Sequence, residues 1–381
     1  MDMTLEEKKK KLAEMQKSMA KKYGDKNTIK TADTVSKIDF YSTGILGMDL
    51  ALGGGFPKGR LLSIAGTESS CKTTTALTCI AKAMKDDENF MAYYYDSENA
   101  LDTSYAESLG VDLSRLVIDD TQIAEEGLTK LRDAIDSGLF GIAVIDSTNS
   151  LSPSKDTESD ISSVSMALRA RILSNAYPQL VGKCAKNNCT LIVIEQIRKA
   201  LGVMFGNPEV NTVGESGKFY MSQRIMMRRQ TKINEENGIA ISNEVKCKVI
   251  KNKVSPPFRT CDLVCIYGKG FDDITDTVNL AIQLEVLTDK GHYYKRGTDE
   301  EKKWKSKDEC IEYMKGDNDF FERIKKETFE KYKNSDSKTV MQDSDLTDKI
   351  NAEKEKLEDL KVTSKDNSSI SNGDDEFKED E

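Results

Sequence analysis

The stretch GTESSCKTT, residues 66 to 74, nearly matches a phosphate-binding loop: a glycine, four residues, then glycine, lysine and serine or threonine. Lys72 and Thr73 fit that pattern, whereas Cys71 replaces its second glycine. In such loops, backbone N–H groups and a helix N-terminus converge on an anion, the lysine adds charge, and the hydroxyl binds Mg²⁺. The predicted nucleotide-binding residues are Gly66, Thr67, Glu68, Ser69, Ser70, Cys71, Lys72, Thr73 and Thr74.

Cys71 is the departure in this loop. Glycine normally lets the chain bend freely here, and a side chain that needs an unfavourable backbone conformation costs on the order of 1–3 kcal/mol. We therefore expect Cys71 to weaken nucleotide binding without abolishing it. A thiol at a helix N-terminus is also expected to have a lowered pKa, and bound ATP should slow its alkylation.

Polar residues at the ends of later apolar runs strengthen the prediction. Asp146 ends FGIAVID, where a carboxylate suits Mg²⁺ or its water. Glu98 lies just past FMAYYYD and is a candidate general base for an attacking water. Gln196 ends TLIVIEQ, where its amide can sense a γ-phosphate. Open α/β sheets bind ligands at the carboxyl ends of their strands, so these residues together predict a P-loop ATPase. Taken singly, Asp146 also fits a helix cap and Glu98 a solvated turn.

The strands that position these residues are apolar throughout and alternate with helical stretches such as IAEEGLTKLRDAIDSG and MALRARILSNAYPQLVGKCAKN. That alternation predicts an α/β fold with a mostly parallel, twisted sheet covered on both faces. Strand-like runs at 224–229, 245–252 and 262–267 have fewer helices between them and predict a mixed or antiparallel edge. Pro178 lies inside the second helical stretch and is expected to interrupt it.

Changes in sequence texture predict four parts. Residues 1–33 form a helical arm, 34–270 the ATPase core, 271–333 a small C-terminal α+β domain, and 334–381 an acidic, disordered tail. The arm has apolar residues along one face, which suits docking outside its own domain, although a solvated arm fits equally. The stretch FDDITDTVNLAIQLEVLTDKG, at the start of the C-terminal domain, has helical spacing.

Composition limits the other classes of function. The chain has 381 residues, 38% apolar, with a net charge of -9, so any contact with nucleic acid must be local. Eight cysteines and one histidine, with no paired CxxC spacing, disfavour a zinc site and fit reduced thiols in the cytoplasm. No signal peptide is expected at the N-terminus, and no apolar run is long enough to span a membrane.

Longer motifs resemble the bacterial and phage RecA-type recombinases. The resemblance is carried by GTESSCKTT, YYYDSENALDTSYAESLGVD, IAVIDSTNSLSP, LIVIEQIRKALGVMFGNPE, GKFYMSQR and VIKNKVSPPF, and it covers most of 34–270. The stretches QIRKALGVMFGNPE and GKFYMSQR are far more specific than the phosphate loop. The resemblance implies a DNA-dependent ATPase that forms helical filaments on single-stranded DNA. Such an enzyme catalyses homologous pairing and strand exchange in recombination, DNA repair and the SOS response to DNA damage.

The resemblance implies the same roles for the loop residues, Glu98, Asp146 and Gln196, and it adds four further residues to the ATP site. Asp102 and Tyr105 match positions that flank the adenine. Lys251 and Lys253 match lysines that reach a neighbouring subunit's ATP, although a basic strand face also explains them. A cation supplied in trans stabilises the transferring phosphoryl group only when subunits are docked, so assembly and hydrolysis would be coupled.

Two DNA-binding loops are also implied, at 156–166 and 197–217. Each begins after a strand that ends at the predicted ATP site, so nucleotide and DNA would bias the same segments. Backbone amides and basic side chains would grip phosphates, and apolar side chains would wedge or stack between bases, although an apolar pair also fits core packing. The predicted DNA-binding residues are Arg169, Arg171, Arg198, Lys199, Met204, Phe205, Gly206 and Asn207.

The implied cofactors are ATP and Mg²⁺. The implied partners are single- and double-stranded DNA, further copies of the chain, and single-strand-binding and mediator proteins in a bacterial or phage-infected cell. The acidic tail would compete with DNA for basic surfaces, or serve solubility alone. Cys71, and Glu195 where asparagine is usual, mark a divergent member. They leave open an ATP-switched DNA-binding scaffold that does not hydrolyse ATP. A hexameric helicase with the same core ranks lower, because the two loops fit recombinases better.

Overall fold

The computed structural model describes residues 3–23, 29, 31–32, 37–154, 166–199, 209–211, 214–236, 239–289, 293–295 and 303–334. Two compact units result, Met1–Asp39 and Phe40–Glu381. The helices are α1 Leu5–Tyr23, α2 Leu46–Leu52, α3 Lys72–Asp86, α4 Thr103–Ser108, α5 Ala124–Asp136, α6 Met166–Asn187, α7 Gly214–Tyr220, α8 Asp273–Gln283, α9 Lys307–Gly316 and α10 Asn318–Asn334. The strands are β1 Phe40–Tyr41, β2 Phe56–Pro57, β3 Leu61–Gly66, β4 Ala92–Asp96, β5 Leu116–Asp119, β6 Ile142–Asp146, β7 Thr190–Lys199, β8 Glu209–Asn211, β9 Gln223–Glu236, β10 Ile239–Asn252, β11 Thr260–Ile266, β12 Gly270–Phe271, β13 Leu287–Asp289, β14 Tyr293–Lys295 and β15 Lys303–Trp304.

Helix α1 is the main element of the N-terminal unit. Thr4 N donates to Glu7 Oε2 at 2.8 Å and Glu7 N donates to Thr4 Oγ1 at 3.4 Å, a capping box that satisfies two of the first N–H groups. Leu5 and Met15 remain 67% and 42% exposed. The helix predicted for the arm is confirmed, while its docking on an adjacent copy stays a prediction.

The second unit is built on one large sheet. Within the described residues its strand order is β12-β11-β10-β9-β3-β7-β6-β4-β5, with β8 beside β7. Strands β5, β4, β6, β7, β3 and β9 pair in parallel, whereas β9 to β12 form an antiparallel series. The predicted α/β class, with a mostly parallel sheet and an antiparallel edge, is confirmed.

Helices cover both faces of this sheet because its central strands are apolar on both sides. Leu62 and Ile64 of β3 pack in the same buried cluster as Leu77 of α3. Leu61, on the opposite face of β3, packs in a second cluster with Leu173 of α6. Because these central strands pair in parallel, their carboxyl ends lie at one edge, where the predicted polar residues lie.

Pro178 does not interrupt its helix, so that expectation was wrong. Helix α6 runs unbroken from Met166 to Asn187 with Pro178 inside it. A proline removes one backbone hydrogen bond. Leu173, Tyr177 and Leu180 are buried on either side of it, and packing of this face holds the helix together. Tertiary burial therefore outweighs the local propensity.

The C-terminal part combines helices α8, α9 and α10 with the three-stranded sheet β13-β14-β15. The helix expected for FDDITDTVNLAIQLEVLTDKG ends at Gln283, and residues Leu287–Asp289 form β13 instead. The predicted boundaries of the four parts stay predictions, and the acidic tail from 335 onward lies outside the described residues. In the portion of the chain that is described, no helix has the length and apolarity needed to cross a bilayer.

Candidate nucleotide site

The ends of four central strands meet at one edge of the sheet. Gly66, the last residue of β3, is in register with Gln196 of β7, and Asp96, the last of β4, is in register with Asp146 of β6. The predicted loop follows Gly66, and the predicted Glu98 follows Asp96. The loop, Glu98, Asp146 and Gln196 therefore share one edge, as parallel pairing requires.

The loop between β3 and α3 is held by its own side chains. Ser70 Oγ and Lys72 Nζ both donate to the carbonyl oxygen of Thr67, each at 2.7 Å. A Cβ at Gly66 would lie 2.4 Å from the carbonyl oxygen of Met227 on β9, so only glycine fits where the loop leaves the strand. These contacts form a tight turn at the N-terminus of α3, the arrangement that binds phosphate through backbone N–H groups.

Cys71 caps the N-terminus of α3 in the left-handed conformation, with φ 60° and ψ 31°. Its thiol is turned toward β10 and β11, where Sγ lies 3.9 Å from Asn243 Oδ1, and Cys265 is directly opposite Asn243 on the neighbouring strand. Donation from Cys265 lowers the pKa of Cys71, with Asn243 and Lys72 adding to the effect against the opposing influence of burial. The spacing of the sequence gives no signal for Asn243 or Cys265, because they reach the loop only through the folding of distant strands.

Comparison of Cys71→Ala with Cys71→Gly should separate the effect of backbone strain on stability from the effect of losing the thiol. Both substitutions remove the sulfur, but only Cys71→Gly relieves the left-handed backbone. We expect the glycine variant to have a free energy of unfolding about 1 kcal/mol higher than Cys71→Ala, measured by urea denaturation. Lys82, in the middle of α3, is the control: there the order should reverse, with alanine the more stable by about 1 kcal/mol. Equal stability of the two position-71 variants would contradict the strain.

Asp146 joins the loop to the centre of the sheet. Its Oδ2 accepts hydrogen bonds from Thr73 Oγ1 and Tyr94 OH, both at 2.6 Å. Burial raises the pKa of the Asp146 carboxyl, against these hydrogen bonds, and burial lowers the pKa of the Lys72 ammonium. Hydroxyl and carboxylate oxygens this close together are the hard donors that Mg²⁺ prefers, so Thr73 and Asp146 fit a magnesium site. Tyr94 was not predicted, although it lies in the quoted run FMAYYYD.

Glu98 and Gln196 form a hydrogen-bonded pair beside the loop. Glu98 Oε1 accepts from Gln196 Nε2 at 2.8 Å and from Ser147 Oγ. The backbone of Gln196 is fixed in turn by Asn149, whose Oδ1 accepts from Gln196 N at 3.1 Å and whose Nδ2 donates to Gln196 O at 3.2 Å. Ser147 and Asn149 were missed, although they lie one and three residues after the predicted Asp146. The pair connects a candidate general base to strand β7.

Comparison with known proteins identifies this arrangement. The model of the RecA N-terminal domain matches residues 10–272. The chain belongs to the RecA family. Protein RecA of Clostridioides difficile (strain 630) is 38% identical over 291 residues, 76% of this chain and 83% of that protein. Protein RecA of Lactobacillus johnsonii (strain CNCM I-12250 / La1 / NCC 533) is 34% identical over 355 residues, 93% and 97% of the two chains. The crystal structure of the RadB recombinase has a TM-score of 0.46 at 20% identity, covering 61% of this chain and 98% of that chain. The family model and the two RecA relatives confirm the predicted RecA-type recombinase and its P-loop ATPase core.

The two residues that the RecA resemblance assigns to adenine lie at the start of helix α4, next to the loop. Tyr105 OH is 3.0 Å from Thr74 Oγ1 in the first turn of α3. Asp102 is the N-cap of α4, where Oδ1 accepts from Ser104 N at 2.9 Å and from Tyr105 N at 3.1 Å. Asp102 thus orients the helix that carries Tyr105, and contact of either residue with adenine stays a prediction.

Lys251 and Lys253 lie away from their own chain's loop. Lys251 Nζ donates to the carbonyl oxygens of Lys218 and Phe219, and Lys253 Nζ donates to Phe219 O at 2.9 Å. Both ammonium groups therefore meet the carbonyl end of α7, where a helix favours cations. A role at a neighbouring subunit's ATP stays a prediction.

The predicted DNA-binding residues are only partly described. Arg169 Nε donates to Leu151 O at 2.7 Å, so its side chain is anchored to the segment after β6, while Arg171 is exposed. The backbones of Arg198 and Lys199 pair with β8 at the end of β7. Met204, Phe205, Gly206 and Asn207 lie outside the described residues, as does 155–165 of the first loop. The contacts of all these residues with DNA stay predictions.

Glu195, which stands where the family resemblance expects asparagine, is 1% exposed. Burial raises the pKa of its carboxyl, and the nearby Arg224 opposes that shift. Successive residues of a strand point to opposite faces, so Glu195 and Gln196 lie on different sides of β7. The departure therefore leaves the side-chain contacts of Gln196 with Glu98 intact.

Proposed function

We propose that the protein is a DNA-dependent ATPase that assembles into helical filaments on single-stranded DNA. In the filament it catalyses homologous pairing and strand exchange during recombination and repair. ATP with Mg²⁺ is the proposed nucleotide substrate and cofactor pair. Single- and double-stranded DNA and further copies of the chain are the proposed partners, with single-strand-binding and mediator proteins acting in a bacterial or phage-infected cytoplasm.

One observation carries the coupling of nucleotide to DNA. Gln196 hydrogen-bonds Glu98 at the nucleotide edge, and it directly precedes the proposed second DNA-binding loop, 197–217, whose first three residues complete strand β7. Asn149 holds the backbone of Gln196 from both sides. A displacement of the Gln196 side chain toward a terminal phosphate would therefore be passed to the loop through one short, continuous segment. The same segment would pass a displacement by DNA back to Glu98, as linkage requires.

The residues at the edge have complementary parts in hydrolysis. The loop amides and Lys72 hold the phosphates, and the Lys72 ammonium offsets the charge of the transferring phosphoryl group. The Glu98 carboxylate accepts the proton of the attacking water, while Ser147 and Gln196 orient that carboxylate. Thr73 and Asp146 would hold Mg²⁺, which supplies charge neutralisation at the phosphates when bound.

ATP turnover with and without single-stranded DNA tests this proposal. We expect turnover to rise when single-stranded DNA is added, and electron microscopy with DNA and a non-hydrolysable ATP analogue to show helical filaments. ATP-dependent DNA binding with turnover no higher than that of Lys72→Ala would favour the non-hydrolysing scaffold instead. Closed rings in place of filaments would favour a helicase.

A further inference from the structure

Two cysteines from distant parts of the sequence meet behind the nucleotide loop. Cys265 of β11 is directly opposite Asn243 of β10 in the antiparallel register, so their side chains emerge side by side on the same face of the sheet. The Asn243 amide reaches the loop from that face, because its Oδ1 lies 3.9 Å from Cys71 Sγ and its Nδ2 donates to Ser69 O at 3.4 Å. Cys71 and Cys265 therefore both lie beside the Asn243 side chain, which places two thiols next to the loop.

Accessibility distinguishes Cys71 from the other thiols. All eight cysteines are unpaired, and Cys71 is partly exposed whereas the other seven are buried. Cys265 is only 3% exposed, so an oxidant in solution meets the Cys71 sulfur first. A buried thiol that lies beside an oxidised, accessible one is placed to resolve it.

We propose that Cys71 and Cys265 form an intramolecular disulfide under peroxide, and that this bond tethers the nucleotide loop to strand β11. The Cys71 sulfur attacks one oxygen of the peroxide, which releases water and leaves a sulfenic acid. The Cys265 sulfur then attacks the Cys71 sulfur, which forms the S–S bond and releases a second water. Peroxide gains the two electrons that the two thiols lose.

The effect on the site follows from geometry and depends on the proposed ATPase function. A disulfide requires sulfur atoms about 2.05 Å apart, much closer than two neighbouring thiols that are not bonded. Forming it draws Cys71, the N-cap of α3, toward β11 and displaces the following backbone N–H groups and Lys72. A misplacement of about 1 Å at a reacting centre can cost on the order of 10²-fold in rate. We expect oxidation to reduce ATP turnover at least tenfold and a dithiol reductant to restore it.

The test uses the full-length protein treated with hydrogen peroxide, blocked with N-ethylmaleimide under denaturing conditions, digested and examined by mass spectrometry. We expect a peptide that links positions 71 and 265 in the wild type and none in Cys265→Ser. The cross-strand neighbours Cys247 and Cys261 are both buried and serve as an internal control. A Cys247–Cys261 link that forms as fast as the Cys71–Cys265 link would contradict the accessibility argument. Cys71 oxidised to sulfinic acid without any link to Cys265 would overturn the disulfide itself.

Turnover is compared as the ratio of oxidised to reduced activity within each variant. The ratio should be at most about one tenth in the wild type and in Cys310→Ser, whose substituted cysteine lies in α9. It should stay near one in Cys265→Ser. A linked peptide with an unchanged ratio would overturn the effect on the nucleotide site. Absence of turnover in the reduced wild type would count against the ATPase function, whereas the peptide result would still decide the disulfide.

Discussion

Lys72→Ala is expected to lower kcat/KM for ATP by on the order of 10²–10³-fold, the usual effect of removing one preorganised charge partner of a transition state. The ammonium is buried at the start of α3 and donates to the carbonyl oxygen of Thr67. Among the described residues it has no ion pair, and burial lowers its pKa, so its charge is poorly solvated until an anion arrives. A phosphate would supply that missing partner, and alanine would supply no cation.

Lys82→Ala is the matched control, because Lys82 lies on the same helix and its ammonium forms an ion pair with Asp86 at the surface. Turnover of ATP by Lys82→Ala should equal that of the wild type. Nucleotide affinity of both variants is measured in parallel with a fluorescent ATP analogue. We expect Lys72→Ala to lose nucleotide affinity and, with it, the ATP-dependent binding of single-stranded DNA. Turnover by Lys72→Ala within threefold of the wild type would show that the loop does not hold the phosphates.

The edge of the sheet at which this lysine lies was predictable from sequence, because parallel strands have a simple geometry. The strand predicted to end at Asp146 does end there, and β3 ends at Gly66, the first residue of the predicted loop, whereas β7 continues past Gln196 to Lys199. Parallel pairing still places these three residues, Gly66, Asp146 and Gln196, at one edge. The observed registers, Gly66 with Gln196 and Asp96 with Asp146, follow from that rule without any knowledge of loops. The motif also marked position 71 as one where a residue other than glycine could be strained, and Cys71 does adopt the left-handed conformation that glycine accepts readily.

What the sequence did not predict depends on side chains brought together across the fold. The contact of Cys71 with Asn243 and Cys265 requires β10 and β11 to fold back beside the loop, about 170 residues further along the chain, and no local pattern records such a closure. Pro178 shows the converse, because a strong local signal was overruled by burial of the helix face around it. Local rules therefore predict the strand ends well and the packing behind them poorly.

Glu98→Gln should separate nucleotide binding from hydrolysis. Glutamine has the same shape as glutamate, and its Oε1 can still accept hydrogen bonds from Ser147 Oγ and Gln196 Nε2, so the edge of the sheet keeps its geometry. It cannot accept the proton of an attacking water at neutral pH, and loss of a general base costs on the order of 10²–10⁴-fold in rate. We therefore expect kcat to fall by that factor while ATP affinity and ATP-dependent filament assembly on single-stranded DNA persist.

Glu107→Gln provides the control, since Glu107 is an exposed carboxylate on α4 and its substitution removes the same charge. We expect filaments of Glu98→Gln to stay bound to DNA longer than those of the wild type, because release from DNA would follow hydrolysis. Turnover within threefold of the wild type would remove Glu98 from the role of base. Loss of ATP binding and hydrolysis together would instead make its contacts with Gln196 and Ser147 structural, because the carboxylate would then be needed to hold the edge of the sheet before any chemistry.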